Sequence, residues 1–142
     1  MLLELSESLK TGIASIDEQH ASLVDLHNDI IREFGTERPV FHTLEALARL
    51  YQYCRQHFDS EEQLMLRYAY AGYEAHHAEH QILLVELRKT VLRYRSDVAS
   101  VDDSIKDFVR DWVLKHIEES DLAFAEPILE AMERERNALT AV

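Results

Sequence analysis

The sequence predicts an all-α fold, an antiparallel up-down-up-down four-helix bundle, on three observations. The 142 residues include only three glycines and two prolines, while leucine, alanine, glutamate and arginine are plentiful, a balance that favours helices over a turn-rich sheet. Four segments repeat apolar or imidazole residues at alternating steps of three and four, the period of a one-sided helix. The stretches between them are short, which makes successive helices antiparallel neighbours. A chain of this length is expected to form one domain, with the bundle over about residues 15–121 and a shorter C-terminal helical extension over about 122–142.

The first helix is expected over 15–34, bounded by Gly12 and Gly35 and opened by Ser15 and Glu18 at the spacing of a capping box. Its stripe is Ile16, His20, Leu23, His27, Ile30 and Phe34. The second, over 40–68, has Pro39 at the position suited to a first turn and carries Leu47, Leu50, Cys54, His57, Glu61 and Leu64. After Gly72 the third, over 73–95, offers Tyr73, His76, His80, Leu83 and Leu87. The polar run "RSDVASVDDS" divides it from a fourth over 104–121, with Ile105, Val109, Trp112 and His116. The tail holds Pro127 and is amphipathic around Ile128, Leu129 and Met132, which suits packing back on the bundle or against another subunit.

The formal charge of −12, from 27 acidic against 15 basic side chains, would repel nucleic acid and anionic membrane surfaces, so neither is an expected partner. No run of eighteen apolar residues occurs and the N-terminus lacks the pattern of an export signal, so a soluble cytoplasmic protein is expected. Cys54, the single cysteine, permits no intrachain disulfide and reads as a small core hydrophobe.

Besides His27, five histidines and a glutamate therefore occupy seams that should be buried, where an unsatisfied imidazole or an unpaired charge costs several kcal/mol. His57 and Glu61 are four apart, as are His76 and His80, so each pair projects from one helical face across a single turn. Antiparallel neighbours joined near Gly72 bring the two pairs to a similar depth, and His20 and His116 can reach the same end. Asp121 follows His116 by five, about 140° round an ideal helix, and so requires a distorted last turn or a sideways reach. Each of these residues taken singly is more often a core or surface side chain than a ligand. Together, five histidines and two carboxylates are too many for one tetrahedral zinc and enough for two ions of larger coordination number bridged by the carboxylates. His27 lies two turns beyond His20 and reads as a hydrogen-bonded core or edge residue; His42 and His77 are not expected to ligate.

The segments "GIASIDEQH", "HFDSEE", "HHAEH" and "WVLKHIEESD", in that order from Gly12 to Asp121, resemble the signatures of the hemerythrin family, specifically its bacterial single-domain members. The resemblance implies a non-haem di-iron centre. His76, His80 and His116 would ligate one iron, His20 and His57 the second, Glu61 and Asp121 would bridge, and a solvent-derived oxo or hydroxo group would complete the bridge. It also implies that Leu23, Phe58, Trp112, Val113 and Ile117 line a dioxygen pocket, and that the activity is reversible dioxygen binding for storage, delivery to an oxygen-requiring enzyme, or sensing. Where many bacterial relatives carry Trp this chain has Leu5, which places the packing of the N-terminal arm in question. A ferritin-like di-iron oxidase or peroxidase is disfavoured, because such sites use two Glu-x-x-His motifs and this chain has one such string, Glu74 to His77. A sensor module for oxygen or nitric oxide is the third reading.

Overall fold

The structure is a computed structural model that describes residues 2–33, 40–96, 110–111 and 114–141. Among them α1 spans Ala14–Glu33, α2 Val40–Arg67 and α3 Tyr73–Ser96, and helical residues 114–116 lead through a π-helical turn, Ile117–Asp121, into α4, Leu122–Thr140. The early part of α1 lies beside the late part of α2, which lies beside the early part of α3, so these neighbours are antiparallel. Phe34, Gly35, Pro39, Ile105, Val109, Trp112 and Val113 fall outside the described residues.

Helix α1 starts at Ala14, one residue before the expected boundary, and Asp17 rather than the Ser15–Glu18 pair organises its entry. Asp17 Oδ1 accepts from the Thr11 N–H and the Thr11 hydroxyl at 2.7 Å each, and Oδ2 accepts from the Gly12 N–H at 3.1 Å. Gly12 adopts φ +87°, a backbone conformation that favours glycine, and a Cβ there would also press on Leu129 Cδ1 of α4 at 3.1 Å. Further upstream the arm is anchored through Asn28, with Leu5 beside it. The Leu3 N–H donates to Asn28 Oδ1 at 2.7 Å, the Asn28 amide donates back to the Leu3 carbonyl at 2.9 Å, and Leu5 packs on the core.

Helix α2 ends in a Schellman motif three residues before Gly72. The Tyr70 N–H reaches the Met65 carbonyl at 2.8 Å and the Ala69 N–H the Leu66 carbonyl at 3.3 Å, with Ala69 at φ +54° in the left-handed position usually given to glycine. Gly72 serves space instead, since a Cβ there would lie 2.7 Å from the Tyr70 ring.

The helix carrying His116 does not stop at Asp121. The Leu122 N–H bonds to the Ile117 carbonyl, one residue further back than in an α-helix, and the chain continues helical to Thr140. The C-terminal extension packs back on its own bundle: Phe124, Ala125 and Ile128 are buried with Ile13, Ile16 and Met65, and Leu129 and Met132 pack against them. A second apolar cluster, including Leu23, Leu47, Leu50, Cys54, Phe58, Leu87 and Ile117, fills the rest of the interior. Burial of Cys54 pushes its thiol well above the usual range, in keeping with a core role.

Candidate metal centre

Between the two apolar clusters, α1 contributes His20, α2 His57 and Glu61, α3 His76 and His80, and the last helical run His116 and Asp121; none of the seven is more than 5% exposed. Pairs four apart on α2 and α3 share a face because the α-helix turns once in 3.6 residues. The π-helical turn does the equivalent for a pair five apart: the extra residue rotates Asp121 back beside His116, and Asp121 Oδ1 lies 3.0 Å from His116 Nε2. The distortion expected from the spacing is thus present.

Asp121 Oδ2 lies 2.8 Å from His20 Nε2 and its Oδ1 3.2 Å from His76 Nε2. Glu61 Oε1 lies 2.9 Å from His57 Nε2 and 3.6 Å from His80 Nε2, and its Oε2 3.9 Å from His76 Nε2. Potential donor atoms fall into two groups, each with all atoms within 4.8 Å of one another: Glu61, His76, His80, His116 and Asp121 in one; His20, His57, Glu61 and Asp121 in the other. Glu61 and Asp121 belong to both.

These close approaches are not ordinary hydrogen bonds. Both oxygens of Glu61, both of Asp121, and the Nε2 atoms of His20 and His76 are buried without a hydrogen-bonding partner despite neighbours near 3 Å, because their lone pairs point into a shared space rather than along N–H bonds. His80 and His116 make the same point more sharply. His80 Nδ1–H donates to Glu62 Oε2 at 3.0 Å and His116 Nδ1–H to Glu79 Oε1 at 2.7 Å, yet the two Nε2 atoms face each other at 3.2 Å. In neutral rings those are two opposed lone pairs, which repel unless a cation lies between or beside them. Donors held by one ion at about 2.1 Å stand about 3 Å apart along an octahedral edge, so the observed separations suit metal coordination. The set passes the test for an iron site: imidazole and carboxylate donors, buried, convergent and otherwise unsatisfied.

The outward nitrogens are fixed by a further layer. His57 Nδ1–H donates to Gln19 Oε1 at 2.6 Å, and the Ser120 hydroxyl, 2.8 Å from both carboxylate oxygens of Glu79, holds the partner of His116. Glu62 also takes a hydrogen bond from His77. By committing Nδ1–H outward, these bonds leave Nε2 as the inward donor.

Electrostatics divides the cluster. Burial drives His57 down to about 3 and His80 down to about 2, with neighbouring imidazoles adding to the effect, so both are neutral and ready to ligate. Burial acts the same way on His116, but the carboxylate of Asp121 beside it and its hydrogen bond to Glu79 outweigh it and hold the ring up at about 9. Burial and the nearby charge of Asp121 raise Glu61 well above the usual carboxylate range. Burial pushes Asp121 upward too, yet the imidazoles of His116, His20 and His76 facing it prevail and keep it well below that range. Without metal, protons therefore take the place of cations.

Leu23, Phe58 and Ile117 are buried in one apolar cluster, and Phe58 stacks on His80 with ring centroids 4.0 Å apart and planes 8° from parallel. Phe124 closes the other side, edge-on to His76 at 5.3 Å. Sequence reasoning missed Gln19, Glu62, Glu79, Ser120 and Phe124. All but Phe124 sit next to a donor in sequence, in "QH", "EE", "EH" and "SD", a weak signal that only the rotation of the helices resolves. His27 is buried beside Asn28 Oδ1, 3.2 Å from its Nδ1, and belongs to neither donor group. His77 likewise stands outside both, and the side chain of His42 lies outside the described residues.

Fold and site together define a helical-bundle protein with a buried histidine–carboxylate cluster able to hold metal. The family profile described as Hemerythrin HHE cation binding domain matches residues 11–126, and the chain belongs to the hemerythrin family, whose members bind dioxygen at a non-haem di-iron site. It is similar to the bacteriohemerythrin of Methylococcus capsulatus, 31% identical over 123 residues that cover 85% of this chain and 91% of that protein. The myohemerythrin of Sipunculus nudus is 26% identical over 118 residues, 83% of this chain and 87% of that one. A wild-type hemerythrin crystal structure superposes with a TM-score of 0.82 at 27% identity, covering 90% of this chain and 98% of that one.

Proposed function

We propose that this chain binds dioxygen reversibly, with His76, His80 and His116 holding one iron, His20 and His57 the other, and Glu61 and Asp121 bridging them. The overlap of the two donor groups at Glu61 and Asp121 carries this reading, since a carboxylate with both oxygens buried and unpartnered is a natural bridge. An iron pair held by these residues would supply two electrons that can be lent to dioxygen and recovered.

The protein contributes orientation and dryness. Gln19, Glu62 and Glu79 lock the imidazole rings, so that the inward nitrogens need no reorganisation on loading. Leu23, Phe58 and Ile117, to which the sequence adds Trp112 and Val113, keep water and protons from the side of the centre that they cover, which favours release of dioxygen over loss of reduced oxygen species. Glu74 and His77 stand apart from the donor groups, and only two carboxylates enter them among the described residues; this composition favours a carrier over a carboxylate-rich oxidase or peroxidase.

The physiological setting we infer is the cytoplasm, with storage, delivery to an oxygen-requiring enzyme, or sensing as the use of one binding chemistry. No helix of the described residues is long and apolar enough to cross a membrane. The test is to purify the protein, count iron, reduce it without air, and follow the visible spectrum while oxygen is admitted and withdrawn. A charge-transfer band that comes and goes over repeated cycles supports the carrier; irreversible bleaching, or steady oxidation of an added reductant, points to an oxidase. Leu23→Gln should accelerate autoxidation, and an unchanged rate would remove Leu23 from the proposed lining.

A further inference from the structure

Helix α3 carries a second line of residues that the bundle leaves uncovered. Ala75, Ala78, Ile82, Val85, Lys89 and Leu92 succeed one another at steps of three and four, and all are exposed. Ile82 is 64%, Val85 50% and Leu92 52% accessible, three of the six most exposed large apolar side chains among the described residues. The line runs opposite the buried face of His80 and Leu87, so it is no continuation of the core. Its spacing is that of the a and d positions of a coiled coil, a ridge that meshes with another helix.

The charges beside the line say which helix. Along α3 the acidic Glu74 and Glu86 precede the basic Arg88, Lys89, Arg93 and Arg95, while Glu79 is turned inward to His116 and Ser120. A copy of α3 laid antiparallel sets each acidic half on a basic half, whereas a parallel copy sets like on like. In a chain of net charge −12 this helix carries three acidic and four basic side chains, so two copies approach along it with little net repulsion. With the two-fold axis near Leu87, Ile82 comes opposite Leu92 of the partner subunit, and Lys89, 3.6 Å from Glu86 of its own chain, also comes beside Glu86 of the partner subunit.

We infer that the chain forms a homodimer by antiparallel pairing of α3 along this line. The inference is independent of what the metal centre binds. It is tested by sedimentation of the full-length, metal-loaded chain from about 1 µM to about 1 mM, a range that spans weak and strong self-association. The mass should rise with concentration from 16.6 kDa toward its double. Ile82→Glu combined with Val85→Glu should weaken association by roughly 100-fold, with metal content and helical circular dichroism unchanged. Glu86→Lys and Lys89→Glu should each weaken it alone, and mixing the two variant chains should restore it through heterodimers, an effect no within-chain pairing can produce. A monomer at every concentration, a dimer insensitive to the changes at Ile82 and Val85, no recovery on mixing, or association only when a different protein is added would each overturn the inference.

Discussion

On the side of the centre formed by His76, His80 and His116, two of the three imidazoles lean on carboxylates, Glu62 behind His80 and Glu79 behind His116. On the side formed by His20 and His57, the outward partner of His57 is the neutral amide of Gln19, and His20 Nδ1 has no hydrogen-bonding partner among the described residues. A carboxylate raises the basicity of the imidazole it holds and fixes its plane; an amide does the second with little of the first. The same five imidazoles thus make a richly donating, firmly held half and a leaner half with fewer donors. In the proposed function the lean half is where a small ligand enters.

The largest effect should come from removing what the halves share. Asp121→Ala is expected to lower metal content from two ions to less than one per chain, because Asp121 belongs to both donor groups. Elemental analysis after anaerobic loading checks this, and retention of one tightly held ion would show that the three-imidazole half is self-sufficient.

The next effect separates the halves. Glu79→Ala should weaken metal binding by roughly 10–100-fold, and Gln19→Ala by less, as read from competition with a chelator of known affinity. Equal losses would break the contrast between carboxylate and amide support.

Proton release is the third. Glu61 is raised well above the carboxylate range, and His116, held up at about 9, carries a proton near pH 7 in the metal-free protein, whereas His57 and His80 do not. Loading near neutral pH should therefore expel protons, the one held by His116 among them. Apparent affinity should fall as pH falls, since protons compete with the cation. A pH-stat titration counts them, and proton-free uptake would contradict the electrostatic picture.

The smallest effect is a control that separates stability from the site. Ala69→Gly relieves a left-handed backbone position and should stabilise the fold by about 0.5–1 kcal/mol, with no change in metal affinity. A thermal melt and a chelator titration on the same sample decide whether the two are independent.

How much of this was legible in the sequence depends on the range of the interaction. His57 with Glu61 and His76 with His80 announce themselves because one helical turn fixes their geometry. Asp121 was legible as a problem: a spacing of five from His116 demanded a distortion, and the π-helical turn supplies it. The four helical segments followed from the seam pattern, but Asp17 in place of the Ser15–Glu18 pair and the left-handed Ala69 did not, since backbone excursions at helix ends leave little mark on residue type. Gln19, Glu62, Glu79 and Ser120 were hidden for another reason. Each becomes a partner of a donor, directly or through Glu79, only after interhelical rotation is set, as in the bond from Ser120 to Glu79 across 41 residues of sequence.

The account rests on seven side chains holding two metals through shared Glu61 and Asp121, and an anaerobic ferrous titration of the metal-free protein beside Asp121→Asn tests it most directly. Two ions per chain in the native protein, with both sites weakened together in the variant, is the expected result. A single ion in the native protein, or a variant that still binds two with unchanged affinity, would contradict it.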